Sequence, residues 1–167
     1  MATALWITRS DIMTLSPLDG NIDTDKLTPF IKSAQDIHVQ DVLGTDLFNR
    51  INDDIQNSNL TGDYLTLVQE YVRPMLVHMM VTDFLGFHSV EITNAGIFNR
   101  ISTTGNNADA DQVQKLIRQE RNTADFYRRR LLDHLSFKAR TLYPEYYTNS
   151  NGDMYPNRER WTGGWRI

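Results

Sequence analysis

Between about Gly62 and His88 the chain carries apolar residues at helical spacing, with Pro74 near the middle of the run. In the first half, Tyr64, Val68, Tyr71 and Met75 fall on one side, the pattern of an amphipathic helix. Beyond Pro74, Leu76, Val77, Met79, Met80, Val81, Phe84, Leu85 and Phe87 point all round the cylinder. A helix apolar on every side must be surrounded by protein, so other helices have to pack about it. Met75 to Phe87, broken by His78 and Asp83, is too short to span a bilayer. Pro74 removes one backbone hydrogen bond and predicts a bend. One short bundle normally covers less apolar surface than this, which predicts that neighbouring subunits share in burying it.

The companions of this helix can be read on either side of it. Thr28 reads as a cap with Pro29 at the first helical position, and Phe30, Ile31, Ala34, Ile37 and His38 follow at helical spacing until Gly44. Thr45 can cap a shorter helix with the stripe Leu47, Phe48, Ile51 and Ile55, and Asn57 to Gly62 reads as a loop. Val90 to Ile101 reads as an extended loop or short hairpin, and Asn106 to Asp111 as a polar linker. The final helix, about Asp111 to Ala139, has an inward stripe of Val113, Leu116, Ile117, Ala124, Tyr127, Leu131 and Leu135. Phe126 and Phe137 lie on its far side, which predicts a second contact surface unless the tail folds back over them. The expected fold is all-α: an antiparallel bundle of about four helices over 28–140, an irregular N-terminal segment over 1–27 and an extended irregular C-terminal arm over 141–167.

That arm carries Tyr143, Tyr146, Tyr147, Tyr155, Trp161 and Trp165 among Pro144, Gly152, Pro156, Gly163 and Gly164, so no regular period survives. Solubilising tails are poor in aromatics, whereas Tyr and Trp supply stiff contact area at interfaces. These six residues are therefore read as docking on a partner or a neighbouring copy. The alternative is an arm folded back over its own core.

Charge is divided along the chain. Residues 1–112 hold six Lys and Arg against fifteen acids, a net of −9, whereas residues 113–140 hold eight against three, a net of +5. An acidic body and a basic helix suit heterologous contact between identical copies. Arg118, Arg121 and Arg129 share a face of the last helix, flanked by Arg128 and Arg130. Together with Phe126 and Phe137, Arg118, Arg121, Arg128 and Arg129 form the expected subunit interface. Solvated ion pairs with local acids are one alternative, and binding of DNA phosphates is another.

Little in the sequence points to catalysis. His38, His78, His88 and His134 are scattered and form no Glu-x-x-His arrangement. His78 reads as a hydrogen-bonded core residue, turned to a different face from Asp83. There is no phosphate loop, dinucleotide glycine fingerprint or nucleophile elbow. The absence of cysteine excludes a disulfide scaffold and thiol chemistry. The expectation is a protein that is not an enzyme and has no catalytic, cofactor or metal site. Met1 to Trp6 lacks the features of a signal peptide, which predicts a soluble chain made in a cytoplasm.

The tract Thr28-Pro29-Phe30-Ile31-Lys32-Ser33-Ala34-Gln35, leading through Val42-Leu43-Gly44 to Leu47-Phe48, is similar to the opening helices of bacteriophage head–tail connector proteins. Tyr71-Val72-Arg73-Pro74-Met75-Leu76 resembles their central helix, and Asn94-Ala95-Gly96-Ile97 before a long charged helix resembles the next part. The likeness covers about residues 25–140 and is greatest to the connectors of crAss-like phages. It implies an all-helical virion subunit, made in the host bacterial cytoplasm, that assembles as a dodecameric ring beneath the portal protein. Such a ring extends the DNA channel, lets duplex DNA pass without specific binding, docks a further neck or tail protein, and involves no membrane. The alternative function is a helical DNA-binding or packaging accessory protein acting through the Arg118–Arg130 face.

Overall fold

A computed structural model describes residues 4–18, 22, 24–88, 90–93, 96–99, 110–150 and 152–159. The fold is all-α. Its elements are α1 (Arg9–Leu15), α2 (Thr24–Ala34), α3 (Gln40–Leu43), α4 (Thr45–Gln56), α5 (Gly62–Thr66), α6 (Arg73–His88) and α7 (Ala110–Leu142). A π-helical turn, Gln35–Val39, joins α2 to α3, and a second, Leu67–Val72, joins α5 to α6. Two longer helical runs result, 24–43 and 62–88. Strands β1 (Val90–Thr93) and β2 (Gly96–Asn99) pair antiparallel, with Val90 opposite Asn99 and Thr93 opposite Gly96.

The 62–88 run is the spine of the molecule, and α7 packs along it. Tyr71 stacks on His134 at 4.1 Å, while seven residues further on His78 bonds Glu120, so the two run antiparallel. Every residue from Val72 to Thr82 except Arg73 is buried. Its cover comes from α1, α2, the first π turn and α7 of the same chain. The expectation that neighbouring subunits are needed to bury this helix is therefore corrected: a single chain covers it, leaving only its far end open at Phe87.

Pro74 acts through a specific carbonyl. It has no N–H to offer the Glu70 oxygen four residues earlier, and Arg130 Nη1 donates to that oxygen at 3.1 Å. The Arg130 guanidinium also lies 4.7 Å from the Tyr71 ring centre, a cation–π contact. The π turn ends at Val72, immediately ahead of the proline, so the irregularity falls where the sequence predicts a bend.

Three boundaries differ from those read in the sequence. The N-terminal segment is not simply irregular. Thr8 caps α1 through a reciprocal capping box with Asp11, and Trp6, Ile7 and Ile12 enter the core. Gln35, fully buried, accepts from the Trp6 N–H at 2.9 Å and donates to the Ala4 carbonyl at 2.9 Å, gripping this segment as a neighbouring strand would. Arg73 Nε donates to the Trp6 carbonyl, and the Trp6 ring stacks on Phe48 at 4.9 Å. Second, α2 begins at Thr24 rather than Thr28, so Pro29 sits inside the helix on an exposed position instead of opening it. Third, Gly44 rather than Thr45 occupies the cap position of α4.

Candidate functional site

The tail from Tyr143 to Glu159 is extended and irregular beyond one 3-10 turn, Pro144–Tyr147, and it lies against the body. Tyr143 and Tyr146 are 1% and 2% exposed. The Tyr143 hydroxyl donates to the Asp63 carbonyl at 3.1 Å, and His134 Nε2 lies 3.2 Å from the Tyr143 hydroxyl oxygen. The Tyr64 hydroxyl donates to Glu145 at 2.8 Å. Burial pushes the Tyr143 hydroxyl up to about 12; burial, then the Glu145 carboxylate, does the same for Tyr64. Burial, with Lys138 and Arg130 adding to it, pushes His134 below its ordinary value.

Past Thr148 the tail becomes a strap over the start of α4. Gly44 has no side chain to cap that helix, and the strap supplies the missing groups. The Met154 carbonyl accepts from the Thr45 N–H at 3.0 Å, and the Thr45 hydroxyl donates to Asp153 at 2.9 Å. The Asp46 carboxylate accepts from the Thr148 hydroxyl at 2.6 Å and the Ser150 N–H at 2.8 Å. An acidic group at a helix N-terminus is electrostatically favourable, so the strap works as a cap delivered from about a hundred residues away. Asp41 holds the next stretch: its carbonyl accepts from the Asn157 N–H at 2.7 Å, and its carboxylate accepts from the Asn157 amide and from Arg128 at 3.3 Å. Arg128 also donates to the Glu159 carbonyl, and Arg158 lies over the rings of Tyr146 and Tyr147.

Of the six aromatics expected to dock on a partner, Tyr143 and Tyr146 are thus committed to their own core, which corrects that reading for these two. Tyr147 and Tyr155 remain outward, at 43% and 68% exposed. Trp161 and Trp165 lie outside the described residues. Over 143–159 the folded-back arrangement is the one observed.

The outward face of α7 is the second surface. Phe126 and Phe137, at 55% and 80% exposed, are not covered by the described part of the tail. A shallow concavity of about 460 Å³ beside them is lined by Phe126, Arg129, Arg130 and Asp133. The expected arginine interface divides in two. Arg128 is bound inside the chain to Asp41 and Glu159, and its side chain is 14% exposed, so it is removed from the free surface. Arg118, Arg121 and Arg129 are exposed. Among the described residues no carboxylate lies within ion-pair distance of Arg118, Arg121 or Lys115, while Arg129 donates to the Asp125 carbonyl one turn back.

The histidines serve the interior. His78 Nδ1 meets Glu120 at 2.7 Å in a buried pair, and its ring lies parallel to Tyr127 at 5.6 Å. That matches the hydrogen-bonded core residue read from the sequence, with Glu120 the partner that spacing within one helix could not reveal. Asp83 instead pairs with His38 at 3.3 Å. Among the described residues no group of three or more His, Asp or Glu is placed to hold a metal ion, and no helix is long and apolar enough to cross a membrane.

Of the residues that seat the strap, Gly44 and Thr45 read in the sequence only as a helix boundary, and Asp41 and Asp46 went unmarked. A helix-ending glycine looks the same whether or not another segment packs on it, and carboxylates near a helix start read as ordinary caps.

The described residues define an all-α protein that presents two outward surfaces, the aromatic side of the strap and the far face of α7. The chain belongs to a family of unknown function (DUF6712), whose model matches residues 39–155. That match runs from the last residue of the first π turn into the strap, so Gly44 and most of the docked tail fall within it. No curated protein and no solved structure matches the chain.

Proposed function

We propose that the chain is a structural virion protein, the subunit of a head–tail connector ring that sits under the portal, extends the DNA channel and docks the next neck or tail protein. The observation that carries this reading is the outward face of α7. Two exposed phenylalanines and three cations without carboxylate partners sit on a rigid helix whose inner side is already buried. A monomer gains nothing from such a face, whereas contact with another protein buries the aromatic rings and pairs the charges. The resemblance of residues 25–140 to phage connectors supplies the assembly in which that contact belongs.

In this reading Arg118, Arg121, Phe126, Arg129 and Phe137 meet the acidic body of the next subunit, where Asp63 and Glu70 are exposed. Heterologous contacts of this kind close a ring when the rotation permits. The strap presents Tyr147 and Tyr155 to the portal or to the protein below. The channel is lined by the acidic body and repels DNA phosphates, so the duplex slides. Co-sedimentation of the pure protein with a phage portal ring tests this reading. Co-migration supports it, and a protein that stays at the top of the gradient contradicts it.

A second reading, a DNA-binding accessory protein, is favoured by the exposed Lys115, Arg118 and Arg121. It requires affinity for duplex DNA that falls steeply with salt, whereas the connector reading requires little binding by the isolated subunit.

A further inference from the structure

The tail has two parts that are held in different ways. Tyr143 and Tyr146 are packed into the core, at 1% and 2% exposed. Beyond them, Pro156 is the one buried residue among the described positions of the strap, 148–150 and 152–159. The strap is therefore held by little apolar burial and mainly by hydrogen bonds, which water replaces when it leaves. On the body those bonds gather on one short stretch, Asp41, Thr45 and Asp46, and on Arg128. The turn that leads into the strap closes on its own atoms. The Asn149 side-chain oxygen accepts from the Asp153 N–H at 3.0 Å, its amide donates to the Asp153 carbonyl at 2.8 Å, and the Gly152 N–H donates to the Asn149 carbonyl at 3.2 Å. Such a turn travels with the strap and keeps its shape.

We infer that the strap is a latch: residues 148–159 lift from residues 41–46 as one unit while Tyr143, Tyr146 and the helices keep their places. The latch is fastened along its length. At its start the Thr148 hydroxyl and the Ser150 N–H donate to Asp46. In its middle Pro156 rests on Gly44, where no side chain intervenes. At its end Arg128 donates to the Glu159 carbonyl at 3.1 Å, and Arg158 donates to the Tyr146 carbonyl at 3.3 Å while lying over the rings of Tyr146 and Tyr147. Opening requires no core side chain to move, since Arg128 keeps Asp41, and Tyr143 keeps Asp63 and His134. It bares the first turn of α4 and the inner side of the strap. A partner that binds either bared surface holds the latch open, and its apparent affinity scales with the fraction of molecules already open. The inference rests on the strap's own contacts and stands whether or not the chain is a connector.

Two backbone N–H groups report the latch directly, because each is covered by a contact between strap and body. The Thr45 N–H meets the Met154 carbonyl at 3.0 Å, and the Asn157 N–H meets the Asp41 carbonyl at 2.7 Å. Native-state hydrogen exchange of the full-length protein compares them with Val77, fully buried in α6. After correction for intrinsic rates, Thr45 and Asn157 should exchange through one shared opening, at least about a hundredfold faster than Val77 and indifferent to low urea. A lock supplies the second arm. The chain has no cysteine, so in the doubly substituted Asp41→Cys, Asn157→Cys protein an oxidised pair ties the strap to its seat. That disulfide should slow Thr45 exchange by at least about tenfold, and reduction should restore it. Protection of Thr45 and Asn157 equal to that of Val77, separate openings for the two, or a lock that leaves Thr45 unchanged would each overturn the inference. A chain that shows the shared opening but never joins a portal keeps the latch and loses the connector reading.

Discussion

Pro156 lies directly on Gly44: a Cβ placed on that glycine would stand 2.6 Å from the proline Cδ and 2.9 Å from its backbone nitrogen. Gly44 also has φ of 75°, a conformation that side chains resist. Two separate requirements, backbone shape and the close approach of another segment, thus converge on one residue. It is the position at which the strap is seated on the body.

Gly44→Ala is expected to destabilise the protein by about 2–3 kcal/mol, from the strained φ and the displaced strap together. Urea unfolding checks the size. Limited proteolysis checks the cause, since cleavage between Thr148 and Glu159 should accelerate. Pro156→Gly, which removes the colliding ring, should recover part of the loss when combined with Gly44→Ala. Strictly additive effects would show that the two residues do not oppose one another.

Truncation tests how far the tail belongs to the core. Removal of everything after Leu142 takes away the buried Tyr143 and Tyr146 and the bonds to Asp63 and Tyr64. It should cost several kcal/mol, on the order of two large buried rings, and leave a poorly folded chain. From sequence alone the same cut is expected to leave the fold intact and abolish attachment only. A form cut after Leu142 that melts like the intact chain would contradict the packing described.

The Arg130 contact with the Glu70 carbonyl is expected to matter because Pro74 cannot fill it. Arg130→Met should destabilise by about 1–2 kcal/mol through the exposed carbonyl and the lost ring contact with Tyr71. In a Pro74→Ala background, where residue 74 regains an N–H, the same change should cost less. A double-mutant cycle by chemical denaturation measures the difference, and zero coupling would rule out the link.

Protonation makes two opposite predictions about pH. His134 sits below its ordinary value of 6.5 because it is buried beside Tyr71 and close to Lys138 and Arg130. The unfolded chain therefore takes up its proton first as pH falls. The stability tied to neutral His134 is present above about 6.5 and is lost as pH drops through and below that value. Tyr64 and Tyr143 are raised from 10.0 to about 12, so their contribution is present below 10 and lost as pH rises towards 12. Unfolding free energies from pH 5 to 11 should fall at both ends, and His134→Phe should flatten the acid limb alone.

Much of the helical frame was legible because its period is strong. The stripe of α4, the all-round character of the spine and the α7 stripe from Ala124 to Leu135 follow from spacing, whereas Val113, Leu116 and Ile117 at the start of that stripe are only half-buried. The N-terminal segment was missed because α1 has only seven residues and its capping box uses Asp11 where Glu or Gln is the usual signal. The core role of Trp6 depends on Gln35, a polar residue buried for its amide, which no apolar pattern marks. The strap was illegible for a different reason. It is held through backbone groups and single polar side chains over a hundred residues away, and such contacts leave no period in either partner. Composition singled out the tail's aromatics as a group. It could not divide Tyr143 and Tyr146, which fill the protein's own core, from Tyr147 and Tyr155, which face outward. Net charge by segment also concealed that Arg128 and Asp41 satisfy each other within the subunit.

Native mass spectrometry of the protein mixed with a phage portal protein tests the proposed connector role most directly. The connector account predicts a discrete complex in which the number of copies matches the number of portal subunits, with that full complement lost when Arg118, Arg121 and Phe126 are all replaced by Glu. A protein that never joins the portal at any ratio, with the portal itself intact, would contradict it.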